Sequence, residues 1–317
     1  MKKIAVITRD CAGVNAALRS VVRSASAKGV EVLGVMRGYD GLIDADLMSL
    51  DRRAVSGIIN RGGTILKTSR SLRFKSANWQ KQAVMTIRDQ RIDGLIVIGG
   101  NGSLTGAHIL ASRYSIPVVG IPATIDNDVN GVTMTIGADT AINVALDALD
   151  KIRDTATSLE RIFVVEVMGR NCGYIALRVA LAAGCEDVII PERKFNLKKI
   201  SENIVEGNIR GKRSWITIVA EGKAKASKVA SEITRLTGLE TRIVVLGHVQ
   251  RGGSPTAFDR ILAARYGHFA VSVLLKGKTD CCVALRNDQL TTVSLAKAIQ
   301  KKDIEASEYY RLIQILT

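Results

Sequence analysis

Residues 94–106 read GLIVIGGNGSLTG. Leu95, Ile96, Val97 and Ile98 form an unbroken apolar run with no polar residue alternating through it, the pattern of a strand buried on both faces. The run ends in Gly99 and Gly100, and Gly102 and Gly106 follow around Asn101 and Ser103. A glycine cluster directly after such a strand lets backbone approach a phosphate. The stretch is neither the Walker form nor the dinucleotide fingerprint, because no lysine follows the glycines and their spacing differs from GxGxxG. At its centre stands an amide, Asn101, where a carboxylate would serve a metal better.

The same strand type recurs on both sides. KIAVIT, VEVLGVM, PVVGIPAT, RIFVVEVMG, EDVIIPE, WITIVAEG and RIVVLGH are separated by amphipathic segments such as NAALRSVVRSASAKG and GADTAINVALDALDKIRDTAT. Continuous apolar strands alternating with helices predict parallel sheets covered on both faces. There are too many strands for one small sheet. The expected architecture is two Rossmann-like three-layer α/β/α domains with mostly parallel sheets facing across a cleft. With only four prolines and no low-complexity segment, no linker marks a boundary. The expected crossings are near residue 137, where a Gly, Asp and Asn-rich loop meets a long helix, and near 250, at RGGSPTAFDR.

The 317 residues carry 45 Lys plus Arg against 30 Asp plus Glu, a net charge of +15. Aromatic residues make up 4% and the basic residues are dispersed, which argues against a nucleic-acid surface and for anionic metabolites held at strand ends. Five cysteines, Cys11, Cys172, Cys185, Cys281 and Cys282, form no CxxC pair and read as buried thiols of a reducing compartment. The N-terminal MKKIAVITRD lacks the apolar core of a signal peptide, and no apolar run has the length of a membrane span. A cytoplasmic protein without membrane or nucleic-acid partners is the expectation.

Ligands of open α/β sheets bind at the carboxyl ends of the strands. The loop PATIDNDVNG puts Thr124, Asp126 and Asp128 just past such an end. In an irregular loop one carboxylate can face a substrate hydroxyl and the other a metal or its waters. An Asx-type turn that only closes the loop is the alternative.

Read in order, NAALRSVVRSA, INRGGTIL, IGGNGS, PATIDND, VVEVMGRNCGY and VLGHVQRGGSP closely resemble the bacterial ATP-dependent 6-phosphofructokinases, from residue 3 to about residue 300. The resemblance implies phosphorylation of the 1-hydroxyl of fructose 6-phosphate by Mg-ATP in a subunit of a homotetramer. A nucleotide-binding domain would comprise 1–137 plus about 250–301, and a fructose 6-phosphate-binding domain 138–249 plus about 302–317.

Residue by residue, the resemblance makes Asp126 the general base, Thr124 the residue that orients the reacting groups beside it, and Arg170 the residue that stabilises charge on the transferring group. Sugar phosphate would be held by Arg161, Met168, Gly169, Glu221, Arg242, His248 and Arg251, with Asp128 nearby. Arg161 and Arg242 would reach in from a neighbouring subunit. Tyr39, Arg70, Lys75, Gly100, Gly102, Ser103 and Gly106 match positions around ATP. Pyrophosphate-dependent relatives commonly carry aspartate and lysine where this chain has Gly102 and Ala123, so ATP is the implied donor. An effector site for a nucleoside diphosphate or phosphoenolpyruvate is implied by Arg19, Arg23, Arg52, Arg153, Arg210 and Lys212, with Glu186 as its metal-contacting acid.

Two departures stand out. TRDCAGVN is two residues shorter than the family's TSGGD-type first loop and lacks its paired glycines, and Asn101 replaces the aspartate that holds Mg²⁺. Both predict a weakened phosphate and metal site, and they keep open a non-catalytic or regulatory paralogue that binds sugar phosphate or effectors.

Overall fold

The computed structural model describes residues 1–317. The chain begins β1 (Lys3–Thr8), α1 (Val14–Ser26), β2 (Glu31–Val35), α2 (Tyr39–Ile43), β3 (Leu47–Ser49), α3 (Ala77–Asp89), β4 (Gly94–Gly99), α4 (Asn101–Tyr114) and β5 (Val118–Pro122). It continues α5 (Ala138–Ser158), β6 (Ile162–Val167), α6 (Tyr174–Ala182), β7 (Asp187–Ile189), α7 (Leu197–Ile209), β8 (Trp215–Ala220), α8 (Ala226–Thr237) and β9 (Thr241–Val245). The remainder is α9 (Ala257–Leu275), β10 (Cys281–Arg286), β11 (Gln289–Ser294), α10 (Leu295–Ala298) and α11 (Ala306–Leu316).

Two compact units result: Met1–Thr140 with Arg251–Lys302, and Ala141–Gln250 with Asp303–Thr317. The first holds a seven-stranded sheet ordered β11-β10-β5-β4-β1-β2-β3. Its inner strands are parallel, with β4 paired to both β1 and β5, while β3 and β11 are antiparallel edges. Leu95, Ile96, Val97 and Ile98 are all fully buried, as an apolar run with no polar alternation requires. Ala5, Ile7, Leu95 and Val97 share a core with α3 and α4 through Ala83, Val84, Ile87, Leu104 and Leu110. Ile4, Val6, Ile96 and Ile98 alternate with them and are equally buried, so they line the opposite face, where α1 and α9 pack. These two helices approach closely: a Cβ at Gly267 would lie 2.8 Å from the Ala17 carbonyl oxygen, and Ser20 Oγ donates to the Ala264 carbonyl at 2.7 Å.

The second unit holds a wholly parallel four-stranded sheet, β7-β8-β6-β9. Ile162, Val164, Ile189 and Val219 pack against Ile200 and Ile204 of α7 and Val229, Ala230 and Ile233 of α8. The C-terminal α11 packs on α6, with the Arg178 guanidinium 4.9 Å from the Tyr174 ring centroid and 3.9 Å from that of Tyr309. All five cysteines are buried free thiols. No helix is long and apolar enough to cross a membrane.

Candidate functional site

In the first unit the polar residues gather where β1, β4 and β5 end. Leaving β5, Ala123 N donates to Gly99 O (3.0 Å) and Thr124 N to Ile136 O (3.0 Å), so the loop starts pinned to its neighbours. Thr124 Oγ1 accepts Asp126 N at 3.3 Å, and Thr135 Oγ1 donates to Thr124 O at 2.6 Å. Asn127 has a left-handed backbone (φ 48°), and its buried side chain accepts Thr135 N and donates to Thr133 O. The result is a closed turn that presents Asp126, itself 3% exposed, just past the end of β5 at Pro122. The Asx-type closure considered from sequence is made by the Asn127 side chain.

Asn101 opens α4, and its Nδ2 donates to Asp128 Oδ2 (2.8 Å) and to the Asp128 carbonyl (3.3 Å). Its Oδ1 is buried and accepts no hydrogen bond. No group of three or more His, Cys, Asp or Glu side chains converges anywhere in the chain. Mg²⁺ bound through substrate phosphates needs only one or two protein oxygens and keeps several waters. An orphan amide oxygen beside the Asp128 carboxylate fits that mode and does not fit an all-protein cage.

The glycines divide by role. A Cβ at Gly99 would lie 2.7 Å from Ser103 Cβ, and one at Gly100 3.1 Å from Thr124 Cβ, so both let the first turn of α4 sit tightly on the strand ends. Around Gly102 there is open space. Gly106 makes room for Tyr39, whose ring would lie 2.6 Å from a Cβ there, whose hydroxyl donates to Ser103 O (2.6 Å), and whose face stacks on Phe74 at 4.1 Å. Arg70 and Lys75 are exposed on a segment held by Asp40, which accepts Ser69 Oγ, Ser71 Oγ and Arg73 Nε. Burial alone would raise the Asp40 carboxyl, and these bonds hold it below the ordinary range.

The loop after β1 is tied down by its own arginine. Arg9 N donates to Ile98 O (2.9 Å), and Nη1 donates to Ser69 O (2.6 Å) and Thr68 Oγ1 (3.3 Å). Cys11 follows, its thiol pushed far up by burial and by the charge of Asp259, so it is inert. Arg251 stands by Asp10, with Nη1 4.0 Å from Oδ2. Asn15, the first residue of NAALRSVVRSA, has no role assigned from sequence; it is buried, donates to Arg61 O and Gly62 O, and accepts Ile65 N, shaping the whole RGG loop.

The second unit carries the other residues. Past β6, Gly169 (φ 140°) and Arg170 (φ 50°) turn sharply, and Glu221 Oε1 accepts Arg170 N at 3.0 Å. Only glycine fits at 222, because a Cβ there would lie 1.6 Å from the Arg170 carbonyl oxygen. Met168 is buried, and its N–H donates to Oε1 of Gln250, a buried residue the sequence did not single out. Arg161 Nε (3.1 Å) and Arg242 Nη2 (2.5 Å) hold the two oxygens of Glu240, another residue without a sequence signal. His248 is exposed on the turn Gly247–Arg251.

The basic residues expected to bind an effector are dispersed between the units. Arg19 and Arg23 share a face of α1 and Arg52 is exposed. Arg153 Nη2 donates to Ala183 O and Gly184 O, Arg210 makes a 3.8 Å pair with Glu206, and Lys212 Nζ lies 3.0 Å from Glu186 Oε1.

The phosphofructokinase sequence pattern matches residues 3–274. The chain is 49% identical over 319 aligned residues to an ATP-dependent 6-phosphofructokinase of Thermotoga neapolitana, covering 100% of each chain. It is 48% identical to ATP-dependent 6-phosphofructokinase 1 of Clostridium perfringens, over 97% of this chain and 96% of the other. Among solved structures, phosphofructokinase from Saccharomyces cerevisiae superposes with a TM-score of 0.87 at 35% identity, over 94% of this chain, which spans 45% of the yeast chain. A pyrophosphate-dependent phosphofructokinase from Marinobacter aquaeolei shares the fold, with a TM-score of 0.85 at 22% identity over 100% of this chain and 91% of that one. A full-length match at this identity, joined to a buried TIDND turn that follows β5, establishes that the chain belongs to the phosphofructokinase family.

Proposed function

We propose that the chain transfers the γ-phosphoryl group of ATP to the 1-hydroxyl of fructose 6-phosphate, giving fructose 1,6-bisphosphate and ADP. The observation that carries this reading is Asp126, a buried carboxylate presented by a closed turn at the end of β5 in a chain 49% identical throughout to an ATP-dependent 6-phosphofructokinase. That full-length identity also favours an enzyme over a non-catalytic paralogue. Asp126 accepts the proton of the sugar hydroxyl as its oxygen bonds to the γ-phosphorus and the bond to the bridging oxygen of ADP breaks. Thr124 orients the loop through its bond to Asp126 N.

Arg170 suits charge developing on the transferring group, because a guanidinium fork matches phosphoryl oxygens better than an ammonium does. Arg161, Glu221, Arg242, His248 and Arg251, with Met168 and Gly169, form the sugar-phosphate set. The open backbone at Gly102 and the positive end of α4 suit the nucleotide phosphates, with Tyr39, Arg70 and Lys75 beside them. Mg²⁺, held by Asn101 Oδ1 and Asp128, would neutralise charge on the β- and γ-phosphates.

The subunits assemble as a homotetramer in which Arg161 and Arg242 serve a neighbour. The support is on β9, an edge strand whose Ile243 (46%) and Val245 (60%) are exposed apolar residues. Arg19, Arg23, Arg52, Arg153, Arg210 and Lys212, with Glu186, form an effector site for a nucleoside diphosphate or phosphoenolpyruvate.

The test is a coupled assay of fructose 1,6-bisphosphate formation, with ATP and then with pyrophosphate. Turnover with ATP is expected, and Asp126→Asn is expected to lower kcat by at least roughly 100-fold while fructose 6-phosphate binding persists, since a base acts on the transition state. Full activity in that variant would remove Asp126 as the base, and turnover with pyrophosphate alone would overturn the donor.

A further inference from the structure

The segment that closes the first unit is fastened onto the loop carrying Asp126 and Asp128. Lys302, half-buried and 170 residues or more away in sequence, donates from Nζ to the Asn127 carbonyl (2.9 Å) and the Val132 carbonyl (2.8 Å). On the same segment Ala298 O accepts Asn130 N at 3.0 Å, and Lys301 O accepts Asn130 Nδ2 at 3.3 Å. Arg286 Nε adds a longer bond to Gly131 O, 3.4 Å. The turn is thus closed from inside by the Asn127 side chain and strapped from outside by residues 298–302.

The chemistry explains why a lysine stands here. An irregular loop leaves carbonyls that no ladder satisfies, and buried carbonyls need donors. An ammonium has three N–H donors and no acceptor, so one group can hold two carbonyls, with bonds stronger than those between neutral groups. The Asn127 carbonyl belongs to the peptide leading into Asp128, and Asn127 is the residue directly after Asp126. Fixing Asn127 and Val132 together therefore fixes both ends of a turn that contains Asp128 and begins at the residue bonded to Asp126.

We propose that Lys302 is a positioning residue for phosphoryl transfer, its ammonium locking the Asn127–Val132 turn so that Asp126 meets the sugar hydroxyl in a reactive geometry. The inference rests on Asp126 being the base. Displacement by about 1 Å of a group that must be aligned in the transition state lowers rate roughly 100-fold without a matching loss of ground-state binding.

The experiment compares Lys302→Met, Lys302→Arg and Lys301→Met by steady-state kinetics, thermal unfolding and amide hydrogen exchange. Lys301 is exposed, and its substitution makes the same charge change while leaving its carbonyl in place. Lys302→Met is expected to lower kcat roughly 10- to 100-fold with the fructose 6-phosphate KM within about threefold, and to speed exchange in residues 126–135 only. Lys302→Arg, which keeps a cationic donor, is expected to recover most of kcat, and Lys301→Met to match the parent. If Lys302→Met does not fold, Lys302→Gln, which keeps N–H donors and loses the charge, supplies the same readouts. Unchanged kcat and exchange at residue 302, or exchange quickened through the whole unit with kcat falling only as the protein unfolds, would overturn the proposal. Asp126→Asn separates the two ideas: activity in that variant removes the base, whereas exchange in residues 126–135 still reports whether Lys302 locks the turn.

Discussion

The two ends of the Asn101 amide differ. Its nitrogen ties the start of α4 to Asp128, while its oxygen is buried and accepts no hydrogen bond. Asn101→Asp would trade the amide donor for a second negative charge beside Asp128, losing a charge-assisted bond worth about 1.5–3 kcal/mol. A favourable charge at the positive end of the helix offsets this by about 0.3–1 kcal/mol. We expect Asn101→Asp to melt several degrees lower without divalent cation, and to gain more from Mg²⁺ with ADP than the parent does. Thermal scans across a Mg²⁺ titration check this, and turnover with ATP should rise at low Mg²⁺. Equal Mg²⁺ dependence in the two proteins would leave Asn101 as a cap for Asp128 and nothing more. Arg9 lies in the other departure, and its contacts at Ser69 O and Thr68 Oγ1 give it a mechanical role: the side chain braces the loop after β1.

At the scale of the element, β7 and β8 contain a half-buried acid with a pH signature. Asp187 accepts the Trp215 indole N–H at 2.9 Å, yet burial, helped by the charge of Glu186, pushes its carboxyl up from 3.8 to about 6 against the bond from Trp215 and the pull of Lys212. The neutral acid is therefore the form the fold prefers. Stability is undiminished below about pH 4, falls as the pH rises through 6, and is lower by about 3 kcal/mol once Asp187 is fully ionised. Asp187→Asn keeps an acceptor for Trp215 and cannot ionise, so it should melt higher than the parent at pH 7.5 and equal it near pH 4. The same difference at both values would show that burial of the charge costs nothing. Eight strands were legible because each is an apolar run, but β3, β10 and β11 were not. β3 has three residues, mostly exposed, and the β10–β11 hairpin turns on Asn287 and Asp288, both left-handed, without the Asn-Gly or Asp-Gly pair that usually announces such a turn.

At the scale of the whole molecule, the proposed homotetramer has one subunit complete another's site. Arg161 and Arg242 are held together on Glu240 beside an edge strand with exposed apolar residues. Arg242→Ser should raise the fructose 6-phosphate KM roughly thirtyfold, the loss of about 2 kcal/mol from a charge-assisted contact to phosphate. Exchanging its subunits with those of Asp126→Asn should restore activity, because some sites then combine Asp126 from one subunit with Arg242 from the other. Exchanged hybrids that stay inactive would place both residues in one subunit's site.

By itself the sequence determined the strands, the loops that follow them and the chemistry those loops bear. Apolar runs, glycine clusters and the TIDND carboxylates are properties of neighbouring residues, and hydrophobic burial acts on them wherever the sheet forms. Tertiary structure alone decided which distant residues hold those loops in place. Asn15 shapes a loop 46 to 50 residues away, Gln250 meets Met168 across 82, Asp259 accepts Gly137 N and Thr140 N across 122 and 119, and Lys302 closes on Asn127 across 175. Each is a polar residue with no periodicity to betray it. What selects it is an unsatisfied backbone group that comes within reach only after the sheets have stacked their helices.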